Sequence, residues 1–199
     1  MSCDMSNHRG FYMTDRQREI LRMALELIAD EGYGSLSMRA LARACGMKLG
    51  ALQYHFRTWE DMLRGVVKYI SAEFSSRLEA KEGVGNSPTV RAIAEFMLDD
   101  TADDGLLSDR LWPQLWAMQQ VEPLVSDLLE DVYAEYLQML ESAIAQSRPQ
   151  ATTAEALCLM SLLESESLFA GKGRRWEQER SAMREFILSF IDERYGEQT

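Results

Sequence analysis

Three observations predict an all-α fold. Apolar residues recur at three- and four-residue spacing along most of the chain, capping residues and Gly or Pro breaks punctuate that recurrence, and residues 37–55 hold two short helical patterns parted by a single Gly46 turn. The last of these is the sequence description of a helix-turn-helix, whose second helix enters the major groove of DNA.

Thr14 followed by Gln17 is a capping box, in which two side chains satisfy amide groups that a helix start leaves unpaired. Ile20, Ala24, Leu27 and Ile28 then share one stripe, and Gly32 tolerates a left-handed exit, so a first helix is expected to stop near Glu31. Ser37 caps the next pattern, with Met38, Leu41, Ala42 and Cys45 on one face of a helix about two turns long. After Gly46 a recognition helix is expected over residues 48–55. Thr58 and Asp61 restart the chain as a longer bracing helix, whose Met62, Val66, Ile70 and Phe74 are spaced by four.

Residues 81–88 contain two glycines and then Ser87-Pro88 as cap and first helical position, which marks a boundary and starts a helix reaching Leu98. Residues 99–104 are an acidic stretch without the spacing or closing Glu of a calcium loop, and read as a solvated connector. A helix over about 106–119 carries Leu107, Leu111, Leu115 and Met118 on one face beside Trp112 and Trp116, with Pro113 expected to kink or shorten it. The next begins at Pro123 and runs through Leu124, Leu128, Val132, Tyr136, Leu140 and Ile144 until Pro149 stops it. Thr153 is expected to cap a helix apolar nearly all round, at Leu157, Leu159, Met160, Leu162 and Leu163. A basic loop at 171–175 leads to a final helix over about 176–195, with Met183, Phe186, Ile187, Phe190 and Ile191 on one stripe. Apolar surface on these two helices beyond one domain's needs implies a partner chain.

Arg18, Ile20, Leu21, Ala24, Gly32, Tyr33, Ser37, Met38, Leu41, Ala42, Gly46, Gly50, Leu52, Tyr54, His55, Phe56, Glu60 and Leu63 stand in one register. In that register the region resembles the DNA-binding domain of the TetR family of bacterial regulators, over roughly sixty residues. The resemblance implies a flexible tail at 1–13, a DNA-binding domain with its bracing helix at 14–80, and a helical ligand-binding and dimerisation domain at 81–199. It places Ser37 and Arg39 at backbone phosphate and Tyr54 and His55 at the end of the recognition helix. The chain departs from the family at Lys48, where Ser usually caps, at Gln53, where Tyr is usual, and at Trp59, where Lys is common.

Two of these departures have a physical reading. A Lys at a helix start faces the positive end of the dipole at a cost of up to about 1 kcal/mol, yet beside DNA Lys48 gains a phosphate. Gln53 can read an adenine edge, a contact worth about 1–3 kcal/mol of discrimination, or can bind phosphate instead. Leu49 can touch a thymine methyl or pack with Leu52. Gly50, Ala51, Arg57 and Trp59 complete the candidate DNA-contacting set.

The resemblance further implies that the last two helices pair with those of a second copy, through Leu157, Met160, Leu163, Met183, Phe186, Ile187, Phe190 and Ile191. A two-fold dimer sets recognition helices roughly 34–36 Å apart, matching successive major grooves and a near-palindromic operator in double-stranded DNA. It also implies a pocket for an unknown small-molecule effector, for which Phe96, Trp112, Trp116, Met118, Tyr133, Tyr136 and Met139 are candidates; the same residues suit ordinary core. Glu164 and Glu166 could draw a cationic ligand, although two carboxylates on a helix are usually solvated.

The net charge of −11 divides unevenly. Residues 1–70 hold ten Lys or Arg against eight Asp or Glu, and residues 71–199 hold eleven against twenty-four, leaving +2 and −13. Affinity for DNA must then come from local phosphate contacts and fall steeply with salt. Hydrophobic residues make up 46% with no run long enough to span a bilayer and no leader pattern, so a soluble cytoplasmic protein is expected. Cys3, Cys45 and Cys158 are scattered, and Cys45 and Cys158 read as small core residues. With only His8 and His55, no metal cluster or histidine-based catalytic set assembles, and neither a cofactor nor an enzymatic activity is expected. A repressor released by ligand is the expectation; a helical protein–protein interaction module and a ligand-independent DNA-binding regulator are the alternatives.

Overall fold

A computed structural model describes residues 13–82, 87–98 and 109–196, with 81 and 82 as backbone. Residues 1–12 of the expected tail, the acidic connector and the start of the helix expected at 106 lie outside the described residues. Within them the structure is helical: α1 Asp15–Glu31, α2 Met38–Ala44, α3 Leu49–His55, α4 Trp59–Glu82, α5 Val90–Met97, α6 Leu111–Gln119, α7 Pro123–Ser147, α8 Thr153–Ala170 and α9 Arg180–Tyr195.

Local chemistry sets the ends of the N-terminal elements. Thr14 and Gln17 exchange both capping-box hydrogen bonds, and the Ser37 hydroxyl accepts from the Ala40 amide. Gly32 leaves α1 at φ +84° and ψ 157°, positive as expected but extended in ψ, and Gly46 at φ +63° carries the turn between α2 and α3. Thr58 and Asp61 bond reciprocally, at 3.0 and 3.1 Å, across the first turn of α4.

Several expected starts differ in the structure. Thr89, not Ser87, caps α5, because its hydroxyl accepts from the Ala92 amide. Thr152, not Thr153, caps α8 and accepts from the Glu155 amide. Pro113 does not kink α6, since the helix begins at Leu111 and the proline falls in the first turn, where a missing N–H goes unnoticed. The expected final helix opens instead as a 3-10 turn, Glu177–Glu179, before α9.

Two apolar clusters hold the molecule. The first joins Ile20, Leu21, Ala24 and Ile28 of α1, Leu41 and Leu52 of the helix-turn-helix, and Met62 and Val66 of α4 to Leu111, Trp112 and Leu115 of α6 and Leu129 of α7. The second gathers Ile93, Leu140, Ile144, Leu159, Leu163, Ile187 and Ile191 from α5, α7, α8 and α9. The first therefore crosses from the DNA-binding segment into α6. That crossing is reinforced by an Arg110–Asp30 ion pair at 3.0 Å and by the Tyr33 amide donating to Gln114 Oε1 at 3.4 Å.

A buried charged knot ties the far end. Glu166, only 2% exposed, accepts from Arg180 and, at 2.9 Å, from Arg184, while Asp109 accepts from Arg180 at 2.7 and 2.9 Å and from the Lys172 amide at 2.7 Å. The α8–α9 joint is thereby fixed to Asp109, two residues before α6. The sequence reading of Glu166 as solvated is corrected: its charge is matched by two guanidinium groups. Cys158 is likewise exposed rather than core, whereas Cys45 is half-buried against the first cluster.

α4 crosses α1 at Gly65, where an added Cβ would lie 2.8 Å from Phe56 Cε1 and 3.2 Å from Leu21 Cδ2. Gly65→Ala is expected to cost about 1–3 kcal/mol by overpacking, read from the midpoint of urea unfolding; an unchanged midpoint would show that Phe56 yields freely.

Candidate nucleic-acid interface and internal cavity

The recognition helix α3 is anchored through one face and bare on the other. Leu52 is fully buried and Phe56 nearly so, and Gln17 Nε2 reaches the His55 carbonyl at 3.4 Å, binding the end of α3 to α1. Gly50, Ala51, Gln53 and Tyr54 point outward, Tyr54 at 86% exposure with its ring set edgewise to His55 at 5.5 Å. Lys48 occupies the N-cap position without a side-chain cap bond, leaving its ammonium group in solvent. Ser37, Arg39 and Arg57 are exposed around this helix, and Leu49 and His55 are half-exposed. Trp59 is partly buried against the first apolar cluster, so its ring is committed to packing on one side. Short helix, tight Gly turn and uncovered outer face together form a surface that fits a groove, with basic side chains at its margins.

A cavity of about 80 Å³ lies between α4, α6, α7 and α8, with α5 adding Met97. Trp112, Tyr133, Tyr136 and Met139 line it, while Phe96, Trp116 and Met118 do not. Phe96 instead packs edge-to-face on Phe74 at 4.9 Å, Met118 belongs to the first apolar cluster, and the Trp116 indole N–H donates to the Tyr133 hydroxyl at 2.7 Å, steadying the wall from behind. The sequence reading missed the contribution of α4, namely Ile70, Ser71, Phe74 and Ser75, and that of Val132 and Glu135 on α7. Phe74 was legible as part of the α4 stripe, but only packing shows that the stripe changes neighbours halfway along.

Glu164 also lines this cavity, contrary to the expectation of a solvated carboxylate. Burial pushes its carboxyl up to about 7 from an ordinary 4.5. Burial, with the Glu164 charge adding to it, holds the Tyr133 and Tyr136 hydroxyls well above their usual range.

Among the candidate interface residues, Leu163, Ile187 and Ile191 turn into the protomer's own second cluster and are corrected to core. Met160 and Met183 are half-buried at its edge. Leu157 at 42%, Phe186 at 73% and Phe190 at 40% remain open on α8 and α9, joined by Leu168 and Phe169 near the end of α8.

A groove-sized helix presented by a three-helix frame, with a larger helical body behind it, defines a helix-turn-helix DNA-binding protein. Residues 20–66 match the model of bacterial regulatory proteins of the tetR family. Over those residues the chain is similar to that family of transcriptional regulators. It is 23% identical over 117 residues to the transcriptional regulator BetI of Pseudomonas aeruginosa, covering 57% of this chain and 59% of BetI. The chain thus spans less than two thirds of the length of the first curated relatives it matches. Among solved structures, a putative transcriptional regulator from Saccharomonospora viridis in complex with choline has the same fold, with TM-score 0.74, 21% identity, and 94% of this chain and 100% of that one covered. AibR, solved with isovaleryl coenzyme A and operator DNA, gives TM-score 0.64 at 20% identity, covering 92% of this chain and 100% of AibR.

An acid whose folded pKa is raised keeps its proton longer in the native than in the unfolded state, so stability declines as pH rises from about 4.5 to about 7 and the penalty is complete above that. Glu164→Gln is therefore expected to stabilise the protein above pH 7, by up to about 3 kcal/mol, and to leave it unchanged in acid. Thermal melts across pH read the effect, and an equal shift at every pH would contradict it.

Proposed function

We propose that the protein is a cytoplasmic, homodimeric repressor that binds a near-palindromic operator through α3 and leaves it when a small molecule occupies the internal cavity. One observation carries this reading: the helix that braces the recognition helix is also a wall of the cavity. α4 contributes Met62 and Val66 to the core beneath α3, and Ile70, Ser71, Phe74 and Ser75 to the cavity two turns further on. A ligand that favours a different seating of α4 must also favour a different seating of the reading head. For occupancy to lower DNA affinity, the ligand has to bind that second arrangement more tightly. The choline complex of one neighbour and the isovaleryl coenzyme A complex of another support a ligand-binding role for this fold.

Dimerisation supplies the second half of the operator. Leu157, Phe186 and Phe190 form an apolar face that α8 and α9 leave uncovered in the protomer, and a second copy related by a two-fold axis would bury it against itself. No helix among the described residues is long and apolar enough to cross a membrane.

Selection of bound sequences from random duplex tests the reading, and enrichment of an inverted repeat is the expected outcome. Against that operator, Arg39→Ala should weaken binding about equally on all duplexes and reduce the salt slope by about 1, whereas Gln53→Ala should change base preference. Equal losses on every sequence would return Gln53 to a phosphate contact. Phe186→Glu is expected to yield monomers in sedimentation and to lose operator binding; a variant that stays dimeric would move the interface elsewhere.

A further inference from the structure

The apolar lining of the cavity leaves one member unexplained. Glu164 shares the space with Phe74, Trp112, Tyr133 and Tyr136, and among the described residues its carboxylate has no hydrogen-bond donor and no cationic partner. Among the described residues the hydroxyl of Tyr136 is buried without a hydrogen-bond partner. Two residues further along the same helix, Glu166 shows what this chain does with a buried carboxylate that serves structure alone: it surrounds it with Arg180 and Arg184. Removing a carboxylate from water without a counter-charge costs several kcal/mol, which an incoming positive charge would offset. Aromatic faces add attraction for a cation within about 6 Å of the ring centroid, and more so where water is excluded.

Resting on the cavity as the effector site, the geometry points to a small organic cation, an ammonium or quaternary ammonium compound, held by the Glu164 carboxylate and enclosed by the rings of Trp112, Tyr133 and Tyr136. An anionic ligand is disfavoured by the lining itself, which among the described residues holds the carboxylates of Glu164 and, at the exposed edge, Glu135, and no Lys, Arg or His. A neutral ligand would leave the carboxylate as costly as before unless it met the acid in its protonated form. That case differs from the proposal in one measurable respect, its indifference to ligand charge.

The probe is choline, compared with its uncharged carbon isostere 3,3-dimethylbutan-1-ol, on the full-length protein without DNA. Binding is followed by tryptophan fluorescence and by thermal shift. Choline is expected to bind at least about tenfold more tightly than the isostere, and Glu164→Gln, confirmed as folded by circular dichroism, is expected to abolish that preference. On the unmodified protein, choline affinity should fall as pH drops from about 8 to about 6. Of the groups lining the cavity with Glu164, Ser71 and Ser75 on α4 and Trp112 on α6 do not ionise in this range, and Tyr133 and Tyr136 on α7 are shifted upward; the remaining charged group is Glu135 at the exposed edge. Equal binding of alcohol and cation, no binding of either at millimolar concentration, or an unchanged preference in Glu164→Gln would overturn the inference. Operator release is measured separately. Cation binding without release would sink the repressor mechanism while leaving this site intact, and release by an uncharged or anionic compound alone would do the reverse.

Discussion

Much of this molecule depends on a single helix serving two cores. α4 has 24 residues and is about 36 Å long at the ordinary rise per residue. Its first half is locked under the recognition helix by Met62, Leu63 and Val66, and by Gly65, which lets α1 and Phe56 approach where a side chain would obstruct them. Its second half leaves that core and turns Phe74 toward Phe96 and Tyr136. A continuous helix transmits displacement because its backbone hydrogen bonds resist bending, so the two halves cannot be repositioned independently.

α6 adds a second connection, shorter and more polar. Leu111 and Leu115 are buried against the α1 cluster, while Gln114 and Arg110 reach the end of α1 through Tyr33 and Asp30. Asp109, two residues before α6, is held by Arg180 and by the Lys172 amide at the α8–α9 joint. Contacts thus run without a gap from the exposed face of α8 and α9 to the base of the reading head. Such a chain of packed and hydrogen-bonded groups provides a physical route for coupling between the cavity, the proposed dimer face and α3.

The two glutamates on α8 show how similar sequence surroundings can hold opposite chemistry. Glu166 is neutralised by two arginines that arrive from α9, and Glu164, half a turn away, faces a cavity with aromatic walls. In sequence both are acidic residues in a leucine-rich stretch. The difference arises wholly from which neighbouring helix each side of α8 meets.

The reading head was legible in the sequence because its information is local. Capping boxes at Thr14 and Thr58, the cap at Ser37 and the positive-φ turn at Gly46 each act within four residues, and the apolar stripes of α1 and α4 follow from helical period alone. The outward residues of α3 were named through the family resemblance, and the helix agrees: with Leu52 inward, Gln53 and Tyr54 are exposed on the other side. Tertiary structure alone decided the rest. Whether Phe96 and Trp116 line a cavity or stand behind it, whether Ile187 or Phe186 faces outward, and whether a carboxylate is paired with arginine or faces a cavity all depend on contacts between helices far apart in the chain. Periodicity says that a face is buried, but the burying partner is chosen by packing.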